Sequence, residues 1–199
     1  MDEVKLFDRW DCEEAEVEDP GLDRYINLEN IMAPRSRGRH SDNQFYKADV
    51  SIVERILDRM YVAGHQGKKH VISSGHNVGN SERLWKIIEA AFERIEEETD
   101  ENPVQVLVRA IENGAAKEEV VTYQRGGMMA RKAVIVSPQR RVDLAVRHLV
   151  QGAYENCFNE EKDAEEALAD EIIAAADNDS STRVVRDKQR REREAEGAR

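Results

Sequence analysis

The segment between residues 64 and 79 holds the residue types that most often take part in catalysis or phosphate binding. Gly64-His65-Gln66-Gly67-Lys68-Lys69 combines glycines with lysines, as phosphate-binding loops do. A P-loop needs four residues between its glycines and a Ser or Thr after the lysine, and this segment lacks both. Ser73 and His76 pair a hydroxyl with a base, but no third group orients the histidine. The segment therefore predicts a surface loop without an active site.

Potential metal ligands are present but isolated. His70 and His76 flank the serine-rich part of the same segment, and no second cluster of ligands accompanies them. Cys12 and Cys157 stand alone and far apart, which excludes both a disulfide framework and a zinc ribbon. The abundant carboxylates lie in acidic runs rather than in a buried pair with separated pKa values. We therefore expect no metal, no cofactor and no enzymatic activity.

Arginine points to a different kind of chemistry. The chain has 21 arginines and nine lysines among 199 residues, and the planar guanidinium group suits two-point contact with phosphates. The total charge argues against such a partner, because 41 acidic and 30 basic residues leave a net charge of −11. The acid, however, is concentrated in residues 1–30 and 155–181, whereas residues 31–48, 119–154 and 182–199 are net basic. An acidic protein can thus present local basic surfaces.

Hydrophobic residues recur at helical spacing over most of the chain. We expect about five to six helices in a core at residues 49–177, with a hairpin inserted and extended tails at both ends. An acidic arm and a basic loop precede the core in residues 1–48, and a basic polar tail follows it in residues 178–199. Ser51 and Glu54 match a capping box at the start of the first helix. The helical periodicity predicts a single, mainly α domain. No apolar run approaches the length of a membrane span, so we expect no membrane partner.

Two short segments rich in β-branched residues interrupt the helical pattern. They are Glu119–Gln124 and Arg131–Val136, and Gly126-Gly127 lies between them. This pattern predicts a two-stranded β-hairpin at residues 119–136. Two strands alone do not bury a hydrophobic face stably, so the hairpin has to lean on the helices or on a partner. A protruding basic arm of this kind suits a nucleic-acid groove.

Three stretches are long and specific enough to compare with known families. They are ENPVQVLVRAIEN at residues 101–113, VSPQRRVD at 136–143, and IVERI at 52–56 followed by Gly67-Lys68-Lys69. In this order and spacing they resemble the signatures of ribosomal protein seven of the small subunit. KLFDRW near the N-terminus and EALADEI near the C-terminus resemble the archaeal and eukaryotic branch of that family. The resemblance covers nearly the whole chain and indicates an archaeal member.

The resemblance implies a fold and a function. The fold is a helical domain with a protruding β-hairpin. The implied function is to bind the 3′ major domain of small-subunit rRNA and to nucleate assembly of the subunit head. The implied position is near the decoding region, beside neighbouring ribosomal proteins, exit-site tRNA and messenger. The implied location is cytoplasmic, within the small ribosomal subunit.

The resemblance also implies which residues contact RNA. They come from the loop before the first helix, the Gly-Lys-Lys motif, the hairpin and the start of the helix that follows the hairpin. In chain order they are Arg35, Arg37, Arg39, Lys47, Lys68, Lys69, Arg125, Gly126, Gly127, Arg131, Lys132, Arg140 and Arg141. The two glycines form the hairpin tip, the part nearest tRNA or messenger. Asn102 and Pro103, in contrast, are expected to hold helix geometry.

Two departures from the family pattern reduce the expected phosphate contacts. Residues 42–46 read DNQFY where the family is more basic, and Met128-Met129-Ala130 follows the hairpin tip. Tyr46 or Tyr123 could stack on bases instead. Packing of both rings against the core is an equal alternative.

Two other functional classes remain open from the sequence. One is a free regulator that binds DNA or messenger, including its own messenger, through the hairpin. The other is a protein-binding scaffold that uses its acidic face. The acidic blocks themselves predict a solvent-facing surface, and the preference for arginine over lysine would fit adaptation to a salty cytoplasm.

Overall fold

The computed structural model describes residues 4–63, 80–158 and 160–199, and this part of the chain forms six α-helices and one two-stranded hairpin. Two short 3-10 helices, Asp23–Tyr25 and Tyr46–Ala48, precede the first α-helix. The remaining elements, in chain order, are α1 (Ile52–Met60), α2 (Ser81–Thr99), α3 (Pro103–Gly114), β1 (Glu118–Arg125), β2 (Met128–Ile135), α4 (Pro138–Cys157), α5 (Ala164–Ala176) and α6 (Arg183–Glu196). The prediction of a mainly α fold with a β-hairpin is confirmed.

The core is built around α5, which packs against α2, α3 and α4. Each of these helices buries the face that its apolar spacing predicts; on α2 the fully buried side chains include Ile88, Phe92 and Ile95. At the start of α3, the Asn102 side chain accepts a hydrogen bond from Val104 N at 3.0 Å, and proline occupies the first helical position. The expected geometric role of this Asn-Pro pair therefore agrees with its contacts.

The N-terminal arm has no α-helix in its described residues, yet it is packed onto the core. Phe7 and Trp10 both meet the ring of Phe92 edge-on, and Phe7 also contacts Trp85. The Arg9 guanidinium donates to Glu93 at 2.7 Å and to Glu96 at 2.6 Å. Aromatic packing and these ion pairs fasten the acidic arm to α2.

The C-terminal segment differs from the extended polar tail expected there, because residues 183–196 form α6. Val184 and Val185 are fully buried, and Val184 lies so close to Gly114 that a Cβ there would meet Val184 Cγ2 at 2.2 Å. His148 Nε2 of α4 lies 2.9 Å from Asp187 Oδ2 of α6. Two valines and a buried polar pair dock a helix whose other positions, apart from the buried Ala195, are polar, which is why hydrophobic periodicity does not predict it.

The hairpin is antiparallel, with Arg125 opposite Met128 and a two-residue loop of Gly126 and Gly127 between them. Both glycines have positive φ angles, 55° and 84°, as a tight hairpin turn of this length requires. Side chains at residues 121–129 are all exposed. The base of the hairpin contacts α6 through β1 and β2, so the helices support the hairpin at one end and leave its tip in solvent.

Candidate nucleic-acid interface

The loop before α1 presents three exposed arginines, Arg35, Arg37 and Arg39. The loop is held by Glu54 of α1, whose side chain accepts a hydrogen bond from Ser36 N at 2.6 Å. Glu54 is therefore engaged with the loop, and the capping box expected at the start of α1 is not formed. Arg39 Nε donates to Ser36 O at 3.1 Å. Arg35 and Arg37 form no side-chain ion pair with the described residues, so their charges are open to solvent.

Lys47, which follows the arginine-containing loop in the chain, is paired within the protein. Its Nζ donates to Asp143 Oδ2 of α4 at 3.0 Å, and Arg55 Nη2 of α1 donates to the other oxygen, also at 3.0 Å. Asp143 thus links the loop, α1 and α4. Lys47 keeps nearly half of its side chain exposed, so it can also face an external anion.

The hairpin carries the second group of unpaired cations. Arg125, Arg131 and Lys132 are exposed and form no ion pair with the described residues. Gly126 and Gly127 lie at the tip, and no heavy atom of the described residues comes within 4 Å of the place where a Cβ of either would lie. Tyr123 is 42% exposed on β1, whereas Tyr46 is partly buried in its 3-10 helix. Of the two tyrosines, Tyr123 is the more available for stacking on a base.

Arg140 stands at the first turn of α4 and is half exposed. Its Nε and Nη2 donate to the two carboxylate oxygens of Glu119 at 2.8 and 2.9 Å. These hydrogen bonds raise the pKa of Arg140 above its ordinary value. The Arg140 side chain is exposed, as expected for an RNA contact. Its guanidinium group, however, is already hydrogen-bonded to the Glu119 carboxylate of the same chain.

Arg141 is buried, which the expectation of an exposed RNA contact did not foresee. Its Nη2 donates to Asp19 Oδ2 at 2.7 Å and to Ala115 O at 3.4 Å. The hydrogen bond from Arg141 lowers the pKa of Asp19. The contacts give Arg141 a structural role, joining the N-terminal arm to the end of α3 and to α4. Lys68 and Lys69, the other predicted contacts, lie outside the described residues.

A cleft that the sequence does not predict lies between the hairpin and the C-terminal end of α6. It has a volume of about 710 Å³, and its lining includes Arg131, Arg193 and Arg199. Arg199 is engaged with Glu118 at 2.5 Å. The sequence signal nearest this region is the basic run in residues 186–191, for which the sequence predicts a polar tail. Only the docking of α6 brings these arginines beside β2.

The part of the chain that the structure describes holds no group of three His, Cys, Asp or Glu side chains placed to bind a metal. Among the described helices, none combines the length and apolarity needed to cross a bilayer. What the surface does offer is two separate groups of unpaired arginine and lysine on a helical scaffold, which suits binding of an anionic polymer. The fold and the site define a mainly helical protein with a basic hairpin.

Comparison with known proteins identifies the family. The model of the ribosomal protein S7p/S5e family matches residues 23–199. The small ribosomal subunit protein uS7 of Nanoarchaeum equitans is 47% identical over 98% of this chain and 99% of its own length. The uS7 proteins of Methanosphaera stadtmanae and Haloarcula marismortui are 41% and 42% identical, each over 98% of this chain. The chain belongs to the ribosomal protein S7p/S5e family.

Family membership confirms several predictions made from the sequence. The recognised family is correct, and similarity to archaeal proteins extends over nearly the whole chain. A ribosomal protein family of this kind is structural, so the non-enzymatic prediction is confirmed. The predicted location on the cytoplasmic ribosome is likewise consistent with the family.

Proposed function

We propose that this chain is a structural constituent of the small ribosomal subunit that binds the 3′ major domain of its rRNA directly and nucleates assembly of the head. One observation carries the proposal. Six of the cations expected to contact RNA, in the loop before α1 and on the hairpin, are exposed and form no ion pair within the described chain. They are Arg35, Arg37, Arg39, Arg125, Arg131 and Lys132.

The contrast with other arginines strengthens this support. Arg9 pairs with two glutamates of α2, Arg94 pairs with Glu98 and Glu166, and Arg109 pairs with Glu101. In a chain with a net charge of −11, carboxylates are available to most cations. Exposed arginines that remain unpaired are therefore suited to an external anion, and a phosphate backbone supplies many such anions at regular spacing.

The hairpin tip supports a finer proposal. Gly126 and Gly127 carry no side chains and sit at the far end of a protruding arm, flanked by exposed Arg125 and Met128. A narrow, basic tip of this kind can approach an RNA backbone closely. We place exit-site tRNA and messenger near this tip, and neighbouring ribosomal proteins around the rest of the domain. Binding of the chain's own messenger remains the alternative function and would use the same basic surfaces.

Cosedimentation tests the main proposal against a free regulator. Native protein in a cell extract is expected to travel with small subunits through a sucrose gradient. Protein that stays at the top of the gradient, while other ribosomal proteins sediment, would overturn the proposal. Reconstitution of head assembly with and without the chain then tests the nucleating role; assembly at an equal rate without it would contradict that role.

A binding series tests the hairpin contribution. Arg125→Gln, Arg131→Gln and Lys132→Gln combined should weaken binding to a 3′ major-domain RNA fragment. The slope of log affinity against log salt should become shallower by roughly 2–3 units, since each phosphate contact contributes about 0.7–0.9. Arg109→Gln is the matched control, because Arg109 pairs with Glu101, and it should leave the slope unchanged. A triple variant with the wild-type slope would remove the hairpin from the RNA interface.

A further inference from the structure

Phe45 is the one phenylalanine of the four in the chain that makes no ring contact within the described residues. It is 66% exposed and adopts a left-handed backbone conformation, φ 62° and ψ 21°. This conformation is uncommon for a bulky residue and costs roughly 1–3 kcal/mol. An exposed aromatic ring kept at the expense of backbone strain suggests a function for the ring.

The backbone around Phe45 is held in place. Phe45 O accepts a hydrogen bond from Ala48 N at 3.0 Å, and Tyr46 N donates to Asn43 O at 3.3 Å. Phe45 is the N-cap residue, immediately before the 3-10 helix Tyr46–Ala48. The ring is therefore presented to solvent from a fixed turn, which reduces the conformational entropy lost when a ligand stacks on it.

A cleft of about 580 Å³ lies beside this ring, a volume typical of sites for small organic groups. Its lining includes Phe45, Arg24, Gln44, Gln139 and Asp49. Arg24 is exposed and forms no side-chain ion pair with the described residues. The cleft thus combines a free aromatic face, an unpaired cation, two amides and one carboxylate.

The cleft lies between the segments expected to contact RNA. Gln139 immediately precedes Arg140 at the start of α4. Asp49 also lines a second cleft, on whose walls Arg35 and Arg39 lie. The cleft therefore sits where an RNA strand that contacts both the loop and α4 would pass.

We propose that Phe45 and the cleft beside it bind one unpaired base of the RNA, with the base stacked on the ring; this inference rests on the proposed RNA-binding function. A base fits the chemistry better than a phosphate does. Aromatic rings are the usual platforms for unpaired bases, and the two amides and the carboxylate can pair with the edge of a base. Asp49 would repel a phosphate inside the cleft. Arg24 can neutralise the phosphate attached to the stacked nucleotide.

Substitution of Phe45 by two different residues tests the proposal. Phe45→Asn removes the ring but relieves strain, since asparagine tolerates the left-handed region. Its thermal midpoint should equal or exceed that of the wild-type chain. Its affinity for the 3′ major-domain fragment should fall roughly 5- to 100-fold, with an unchanged salt slope, because stacking neutralises no phosphate. Phe45→Trp should retain the affinity.

Phe158→Asn is the matched control. Phe158 is also exposed, at 38%, but it follows the far end of α4, and this 20-residue helix is about 30 Å long. It should bind RNA like the wild-type chain. If the wild-type chain binds the fragment and Phe45→Asn binds it equally well, the stacking proposal is overturned. If the wild-type chain itself fails to bind, the proposed function fails first.

The fluorescence of Phe45→Trp provides a direct readout. Emission from this variant, after subtraction of the wild-type signal from Trp10 and Trp85, should be quenched as the fragment saturates the protein. Stacking on a base brings the indole into contact with the quenching base. Unchanged emission at saturation would show that no base stacks at this position.

Discussion

Arg140 and Glu119 form a two-point ion pair that joins the first turn of α4 to the start of β1. Nε and Nη2 of Arg140 donate to the two oxygens of Glu119 at 2.8 and 2.9 Å. This is the geometry with which arginine also binds phosphate. Arg140 therefore has to exchange a carboxylate for a phosphate when it binds RNA. Glu119 would keep a partner after that exchange, because Arg191 Nη1 lies 3.4 Å from its Oε2.

Releasing Arg140 should strengthen RNA binding. We expect Glu119→Gln to raise affinity for the 3′ major-domain fragment about 2- to 10-fold and to steepen the salt slope by roughly one unit, since one more cation becomes available. Arg140→Gln should do the reverse. The free energy of unfolding of Arg140→Gln should stay within about 1 kcal/mol of the wild-type value, because the Arg140 side chain is half exposed. Fragment titrations at several salt concentrations provide the measurement, and equal slopes in all three proteins would exclude Arg140 from the interface.

Arg141 should matter for stability rather than for RNA binding. Arg141→Ala removes the ion pair with Asp19 and the hydrogen bond to Ala115 O. We expect a loss of about 2 kcal/mol in the free energy of unfolding, measured with urea. RNA affinity and salt slope, measured where the variant is fully folded, should match the wild-type values. A normal stability combined with a shallower slope would instead identify Arg141 as a phosphate contact.

Gly152 of α4 should resist substitution, although alanine favours helices. A Cβ at this position would lie 2.3 Å from Glu171 Oε1, and that buried oxygen accepts a hydrogen bond from Arg183 N at the start of α6. We expect Gly152→Ala to destabilise the protein by about 1–3 kcal/mol, because the Glu171 carboxylate has to shift and its hydrogen bond with Arg183 N is disturbed. The loss outweighs the gain in helix propensity, which is about 1 kcal/mol.

A double-mutant cycle with Glu171→Ala provides the control for Gly152. If the clash acts through Glu171, Gly152→Ala should cost much less in the Glu171→Ala background, and the two changes should not be additive. Strict additivity would show that Gly152 is required for another reason. Urea unfolding of the four proteins gives the coupling free energy.

The stability that Asp187 contributes at the contact between α4 and α6 should decline in acid. Burial by itself would raise the pKa of Asp187, but hydrogen bonds with His148 and Arg191 outweigh burial and hold this pKa well below its ordinary value of 3.8. A lowered folded-state pKa stabilises the fold above about pH 4, and the contribution disappears as pH falls through the folded-state pKa. Asp187→Asn should therefore be less stable than the wild-type chain at pH 6, with a smaller difference at pH 2.

Urea unfolding between pH 2 and pH 6 checks this sign. Asp42→Asn is the control, since Asp42 is exposed and its side chain forms no hydrogen bond with the described residues. It should follow the wild-type pH dependence. If Asp187→Asn retained the wild-type difference in stability between pH 6 and pH 2, the acid sensitivity would have to arise from other carboxylates.

The sequence alone determined most of the scaffold. Helices α1 to α5 each have an apolar face that recurs at helical spacing, and burial of these faces is a local consequence of periodicity. The sequence also predicts the hairpin, because runs of β-branched residues flank two glycines. Both turn positions have positive φ angles, which glycine adopts most readily. Four of the stretches that resemble the family, at residues 52–56, 101–113, 136–143 and 166–172, lie in or at the start of α1, α3, α4 and α5, so the recognised family and the predicted fold agree.

Only the tertiary structure determined which charged side chains are paired or buried, and whether the last helix forms. α6 has few apolar residues, so its sequence alone does not predict a helix. The helix is stabilised by tertiary packing, in which Val184 lies against Gly114. Arg140 and Arg141 are adjacent in sequence, yet one is exposed and the other buried, because successive residues of a helix point about 100° apart. Their partners, Glu119 and Asp19, lie 21 and 122 residues away. Local sequence reports where a charge is, but its pairing depends on remote segments that folding brings together.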